Sequence, residues 1–175
     1  MILECYQTVE DRNNLEYVEA NGPFWCKRPD AWLGDGYYIW DSNIDWAHGW
    51  GKVYEKGYII CAMSVYDGQI FDLWGSVNHQ REFAESLSML KSRGNRPGGQ
   101  PVVARDVLSF LRKTGSFLYD GIRSFDEPTT VQVIRYNNNR REELVIGQRV
   151  QICLLNKKPL LSHTFRIVFP ENYVL

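Results

Sequence analysis

Gly34-Asp35-Gly36-Tyr37-Tyr38-Ile39-Trp40 sets two glycines two residues apart, directly ahead of an aromatic and β-branched run. Glycine opens backbone conformations closed to other residues and lets a main chain approach a neighbour closely. Tyr37 to Trp40 suit a short buried strand. Asp41, Ser42 and Asn43 are helix N-cap candidates, and Trp46, Ala47 and Trp50 then give the next helix an apolar face. Turn, strand and capped helix together can cradle a planar ligand, or simply build core.

Other polar residues stand where strands end. The first eight residues read as a strand, with Tyr6, Gln7 and Thr8 near its exit, a position from which side chains often face a site. Gln151 lies in an apolar run over residues 149–155, and Gln132 lies on the preceding strand; either is a candidate to face a pocket. Glu127 and Glu143 are carboxylates that could stand at its rim, or be solvated loop residues. His48, His79 and His163 fall on separate elements and read as surface residues. The four cysteines form no closely spaced pair, so a zinc site is not indicated. No phosphate-binding glycine loop, nucleophile elbow or HExxH pair occurs.

The elements that position these residues follow from periodicity. A weak helical pattern over residues 9–20 stops at Asn21-Gly22-Pro23, and residues 24–32 read as a loop packing aromatics beneath the glycine motif. A helix follows over residues 43–54. Residues 57–66 are so continuously apolar that a strand buried on both faces is predicted. Asp67-Gly68 signals a hairpin into a strand at residues 69–73. Helices are predicted over residues 76–92 and 102–114, separated by the flexible-looking residues 93–101. Strands are predicted over residues 129–136, 149–155 and 163–169, with a turn at Asn137-Asn138-Asn139 and a short apolar piece at residues 144–146. Helices thus precede a strand-rich final third, an α+β arrangement rather than a regular βαβ repeat.

With 175 residues the chain fits one domain. Its net charge of −1 gives no global attraction to nucleic acid or to a membrane surface. No apolar stretch reaches membrane-spanning length, and the N-terminus lacks a signal-peptide pattern, so a cytoplasmic, reduced protein is expected.

The three polar spots, Tyr6-Gln7-Thr8, Gly36-Tyr37-Tyr38-Ile39 and Val150-Gln151-Ile152-Cys153-Leu154, resemble in order and context the ADP-ribosyltransferase superfamily, in its diphtheria-toxin-like and poly(ADP-ribose)-polymerase-like branch. The stretch from Gly34 to Ala47 carries the most specific part of that resemblance. It implies two packed, mainly antiparallel sheets, with helices concentrated in the first two thirds. It also implies NAD as substrate and transfer of ADP-ribose to a protein or nucleic-acid acceptor, as in a toxin or defence effector.

By the same resemblance Tyr38 would stack on the nicotinamide ring, Gln7 would contact the ribose and the backbone of Thr8 would hold the carboxamide. Tyr6, Gly36, Tyr37 and Ala47 would line the pocket, with Gly36 allowing close approach to the ligand. Gln151 would stand at the catalytic glutamate position. The triad is therefore Gln-Tyr-Gln, and Gln151 lacks the charge that would stabilise an oxocarbenium-like transition state. A catalytically inactive NAD- or ADP-ribose-binding module on the same fold is the alternative. A third reading is an RNA-directed protein, from Lys91, Arg93, Arg96, Arg105, Arg112 and Lys113.

Overall fold

The computed structural model describes residues 1–92, 101–126, 132–136 and 143–174. Expectations for Arg93, Arg96, Glu127, the Asn137-Asn138-Asn139 turn and the side chains of Gln132 and Glu143 lie outside the described residues. In chain order the elements are β1 (Ile2–Glu10), α1 (Leu15–Asn21), β2 (Tyr37–Asp41), α2 (Ile44–Gly51), β3 (Tyr58–Tyr66), β4 (Ile70–Asp72), α3 (Val77–Ser92), α4 (Ala104–Lys113), β5 (Gly121–Asp126), β6 (Gln132–Arg135), β7 (Glu143–Ile146), β8 (Arg149–Leu154) and β9 (Arg166–Phe169). The α+β class holds, and all four described helices precede residue 114.

Seven strands hydrogen-bond in the order β4-β5-β8-β2-β1-β3-β9, while β6 and β7 form a separate two-stranded ribbon. The sheet is antiparallel except for the β4–β5 pair. Where two packed sheets are expected, seven of the described strands form one continuous sheet that coils on itself. The β3–β4 connection requires the coil. The chain from Tyr66 to Ile70 can span at most about 14 Å, yet the five intervening strand spacings would cover about 24 Å in a flat sheet. Coiling brings Ile70 of β4 against Met63 and Val65 of β3, with Leu3, Cys5, Ile39, Ile152 and Leu154 filling the same core.

The predicted hairpin at Asp67-Gly68 is accordingly replaced by a single 3-10 turn, Asp67–Gln69, and β4 pairs parallel with β5 at the far edge. A two-residue turn signal reports local dihedrals, not which strand the chain next joins. The predicted two-sided burial of β3 holds: Ile59, Ile60, Cys61, Ala62 and Met63 are all buried.

The outer face of the coil carries α2 and α4. Asn43 caps α2, its side chain accepting the Asp45 N–H at 2.9 Å. Ala47 packs there with Trp40 and Ile60. Helix α4 buries Val107, Leu108 and Leu111, spaced i, i+1 and i+4, against Leu33, Phe71, Ile122 and Cys153. Burying each such aliphatic side chain contributes about 1.5–3 kcal/mol. Among the described residues no helix is long and apolar enough to cross a membrane.

One ion-pair network crosses the sheet. The Arg123 guanidinium meets Asp41 at 2.5 Å and Asp72 at 3.2 Å, with the Asp41 side chain only 2% exposed. The same guanidinium lies 4.5 Å from the centroid of the Trp74 ring.

Candidate functional site

β1 and β2 are paired only at Cys5–Asp41 and Tyr6–Trp40. Beyond Tyr6 the two strands fork, and β1 runs on to Glu10 beside β3 alone. A fork leaves main-chain groups to be satisfied by other partners. Gln7 supplies them: its Oε1 accepts the Phe24 N–H at 2.7 Å, and its Nε2 donates to Phe24 O at 2.9 Å and Tyr38 O at 3.2 Å. The Gln7 amide thus acts as a substitute strand segment holding the 22–36 loop beside β2.

A cleft of about 490 Å³ opens at this fork. Its walls include Trp25 and Trp32 from the loop, Tyr38 and Trp40 from β2, and Trp50 and Tyr54 from α2 and the turn after it. Trp40 and Gln151 stand directly opposite each other on β2 and β8, so both side chains share one face. The Gln151 Oε1 accepts the Trp32 indole N–H at 2.9 Å. Its Nε2 has no protein partner among the described residues and is free to donate to a ligand.

The loop that forms the outer wall is pinned from two sides. Arg105 of α4 bonds Asp35 at 2.5 Å and Pro29 O at 3.1 Å. Cys26 and Gly36 exchange main-chain hydrogen bonds of 2.8 and 3.2 Å, closing the loop into a compact ring. The prediction that this loop packs aromatics beneath the glycine motif is corrected: it stands beside the motif and walls the cleft. Its density of Trp, Phe and Pro is the available sequence signal, since aromatics on a loop must either be covered or cover something.

Of the site residues predicted from the sequence, Gln7, Thr8, Tyr38 and Gln151 line the cleft together. Most of their polar atoms are already engaged. The Tyr38 hydroxyl accepts from Leu33 N and donates to Gly34 O, both at 2.9 Å, and burial pushes its phenol pKa up. The Thr8 hydroxyl donates to Ala47 O at 2.8 Å and ties α2 to β1.

The other four stand outside the lining. Tyr37 points to the opposite face of β2, edge-on to Trp25 at 4.9 Å. Tyr6 packs against the Trp40–Ala47–Ile60 cluster, where burial raises its phenol pKa, and Ala47 is fully buried inside that cluster. At Gly36 an added Cβ would lie 2.4 Å from Cys153 Sγ and 2.6 Å from Leu154 O, so the glycine lets the main chain pack closely against β8.

The surface reading of the histidines holds only for the exposed His163. His48 packs edge-on to Phe169 at 4.8 Å with its Nδ1 3.1 Å from the Tyr58 hydroxyl. His79 Nδ1 accepts the Asp72 N–H at 2.8 Å, while Nε2 lies 3.1 Å from the Tyr119 hydroxyl. Burial pushes the Cys153 thiol up to about 12, so it is protonated near neutrality and a poor nucleophile. Asp30 is the one carboxylate among the described lining residues, and its hydrogen bonds from Arg28 hold its pKa below the usual value. Among the described residues no group of three or more His, Cys, Asp and Glu is placed to hold a metal ion.

The cleft can therefore stack a planar ring among indole and phenol faces and offer an amide N–H to an acceptor on it. Compared with family models, curated proteins and solved structures, the chain matches none.

Proposed function

We propose that the chain is an ADP-ribosyltransferase-like domain that binds NAD in this cleft and transfers ADP-ribose to a macromolecular acceptor. The observation that carries the reading is the meeting of Gln7, Tyr38 and Gln151, distant in sequence, along one aromatic cleft at a strand fork. In the reaction, the bond between nicotinamide and ribose breaks and nicotinamide leaves with the bonding electrons, neutralising its ring charge. The acceptor's nucleophile forms the new bond to the same ribose carbon and releases its proton. Tyr38 and the neighbouring indoles hold the ring, and the Gln151 amide donates to a ribose hydroxyl. Orientation of this kind accounts for much of the catalysis of such a displacement.

A second reading, a binding module for NAD or ADP-ribose without transfer, is favoured by the same side chains. The Gln7 amide is committed to main-chain groups at both of its ends. Gln151 carries no charge to stabilise a developing cation. Calorimetry with NAD, paired with an assay of nicotinamide release, tests both. Binding with release supports the transferase, and binding without release supports the module. No binding by the wild-type chain, or undiminished binding by Trp32→Leu, overturns the cleft as the NAD site.

A further inference from the structure

At the mouth of the cleft the Arg28 guanidinium lies 5.3 Å from the centroid of the Trp50 ring. Its Nε and one terminal nitrogen donate to the two carboxylate oxygens of Asp30 at 3.0 and 2.7 Å. Arg28, Asp30 and Trp50 all line the cleft, the first two from the loop and Trp50 from α2. Trp40 backs Trp50 at 6.2 Å. A carboxylate meeting two nitrogens of a guanidinium whose carbon lies over an indole ring is a recognition set for that group.

Arg28 is held there lightly. Its side chain is 54% exposed and that of Asp30 is 66% exposed, and ion pairs and cation–π contacts so open to water are weak. The loop itself does not depend on the contact, because Arg105 holds it at Pro29 O and Asp35 on either side of Asp30. Arg28 can swing out into solvent and leave Asp30 and Trp50 in place.

We propose that Asp30 and Trp50 form a seat for the arginine side chain of a protein partner, filled in this structure by Arg28 of the chain itself. An incoming arginine takes over both carboxylate hydrogen bonds and the indole face. A lysine cannot match this arrangement, since its ammonium is a point charge without a planar fork. A pyridinium ring has the charge and the plane but no N–H donors for Asp30. The seat serves a transferase and a pure binding module alike, so it stands independently of the NAD reading.

The test is calorimetry of three probes: N-acetyl-arginine amide, N-acetyl-lysine amide and N-methylnicotinamide. Arg28→Ala, which vacates the seat at an exposed position, should bind the arginine probe roughly tenfold more tightly than the wild type. Adding Asp30→Asn or Trp50→Leu should abolish that gain, and the lysine probe should bind roughly tenfold more weakly than the arginine probe. Thermal melts of each variant establish that the fold is intact. An unchanged affinity in Arg28→Ala, a gain that survives Trp50→Leu, or N-methylnicotinamide binding as well as the arginine probe overturns the proposal. NAD titrations of the same samples are read separately, so loss of one reading leaves the other standing.

Discussion

The side chain of Gln7 and the main chain of Phe24 are paired at both ends: Phe24 N–H donates to Oε1 and Nε2 donates to Phe24 O. A buried glutamine, 6% exposed, thereby completes a strand fork and fixes the loop that walls the cleft. Gln7→Leu keeps the volume and removes both partners. Stranding buried polar groups costs about 1–3 kcal/mol each, so the variant should lose about 2–4 kcal/mol in urea unfolding. Its tryptophan fluorescence should also show greater solvent exposure of Trp25 and Trp32.

Arg123 and Asp41 make the most buried ion pair described. Arg123→Leu would leave the Asp41 carboxylate without its charge partner, a change that costs about 3–5 kcal/mol. Asp41→Asn combined with Arg123→Leu should recover part of that loss. Equal destabilisation by the single and double variants would show that packing, rather than stranded charge, sets the cost.

Gly36→Ala should destabilise by about 3 kcal/mol, at the upper end of overpacking costs, because the new methyl group meets Cys153 Sγ and the Leu154 main chain. Pairing it with Cys153→Ala removes one of the two obstacles and should restore part of the stability. Full restoration would place the whole conflict at the thiol.

Stability should fall in alkali. Burial raises the thiols of Cys61 and Cys153 from an ordinary value of 9.0 to about 12. Below pH 9 both states hold these protons, and the stabilisation is fully present. Between pH 9 and 12 the unfolded chain releases protons that the folded chain retains, so stability declines as pH rises. Urea midpoints at pH 8 and pH 10.5 measure the decline, which should be smaller in Cys153→Ala. At pH 8 a thiol reagent followed by mass spectrometry should label half-buried Cys26 ahead of the three buried thiols.

Gln151→Glu separates the two readings of the cleft. A carboxylate can accept the Trp32 N–H as the amide oxygen does, so the wall should remain in place. If the domain transfers ADP-ribose, the added charge should raise nicotinamide release by roughly tenfold or more. Unchanged release, with NAD binding retained, would favour the binding module.

Local chemistry determined much of this protein from sequence alone. An aromatic and β-branched run marked most of the strand Tyr37–Asp41, a continuous apolar run marked the doubly buried strand Tyr58–Tyr66, and a cap signal located the start of the Ile44–Gly51 helix. These features depend on dihedrals and side chains within a few residues of each other. Gln7, Tyr38 and Gln151 are also legible as polar or aromatic positions on strands.

Only the tertiary structure decided what surrounds them. The coil of the sheet carries β4 from beside β3 to the opposite edge, which no turn dipeptide encodes. The fork beyond Tyr6 commits Gln7 to Phe24, the approach of β8 assigns Gly36 to strand packing, and the 22–36 loop brings Trp32 onto Gln151. The physical reason is the same in each case. These pairings join residues from 17 to 119 positions apart, and their energies are settled by which surfaces the folded sheet brings together, not by propensity along the chain.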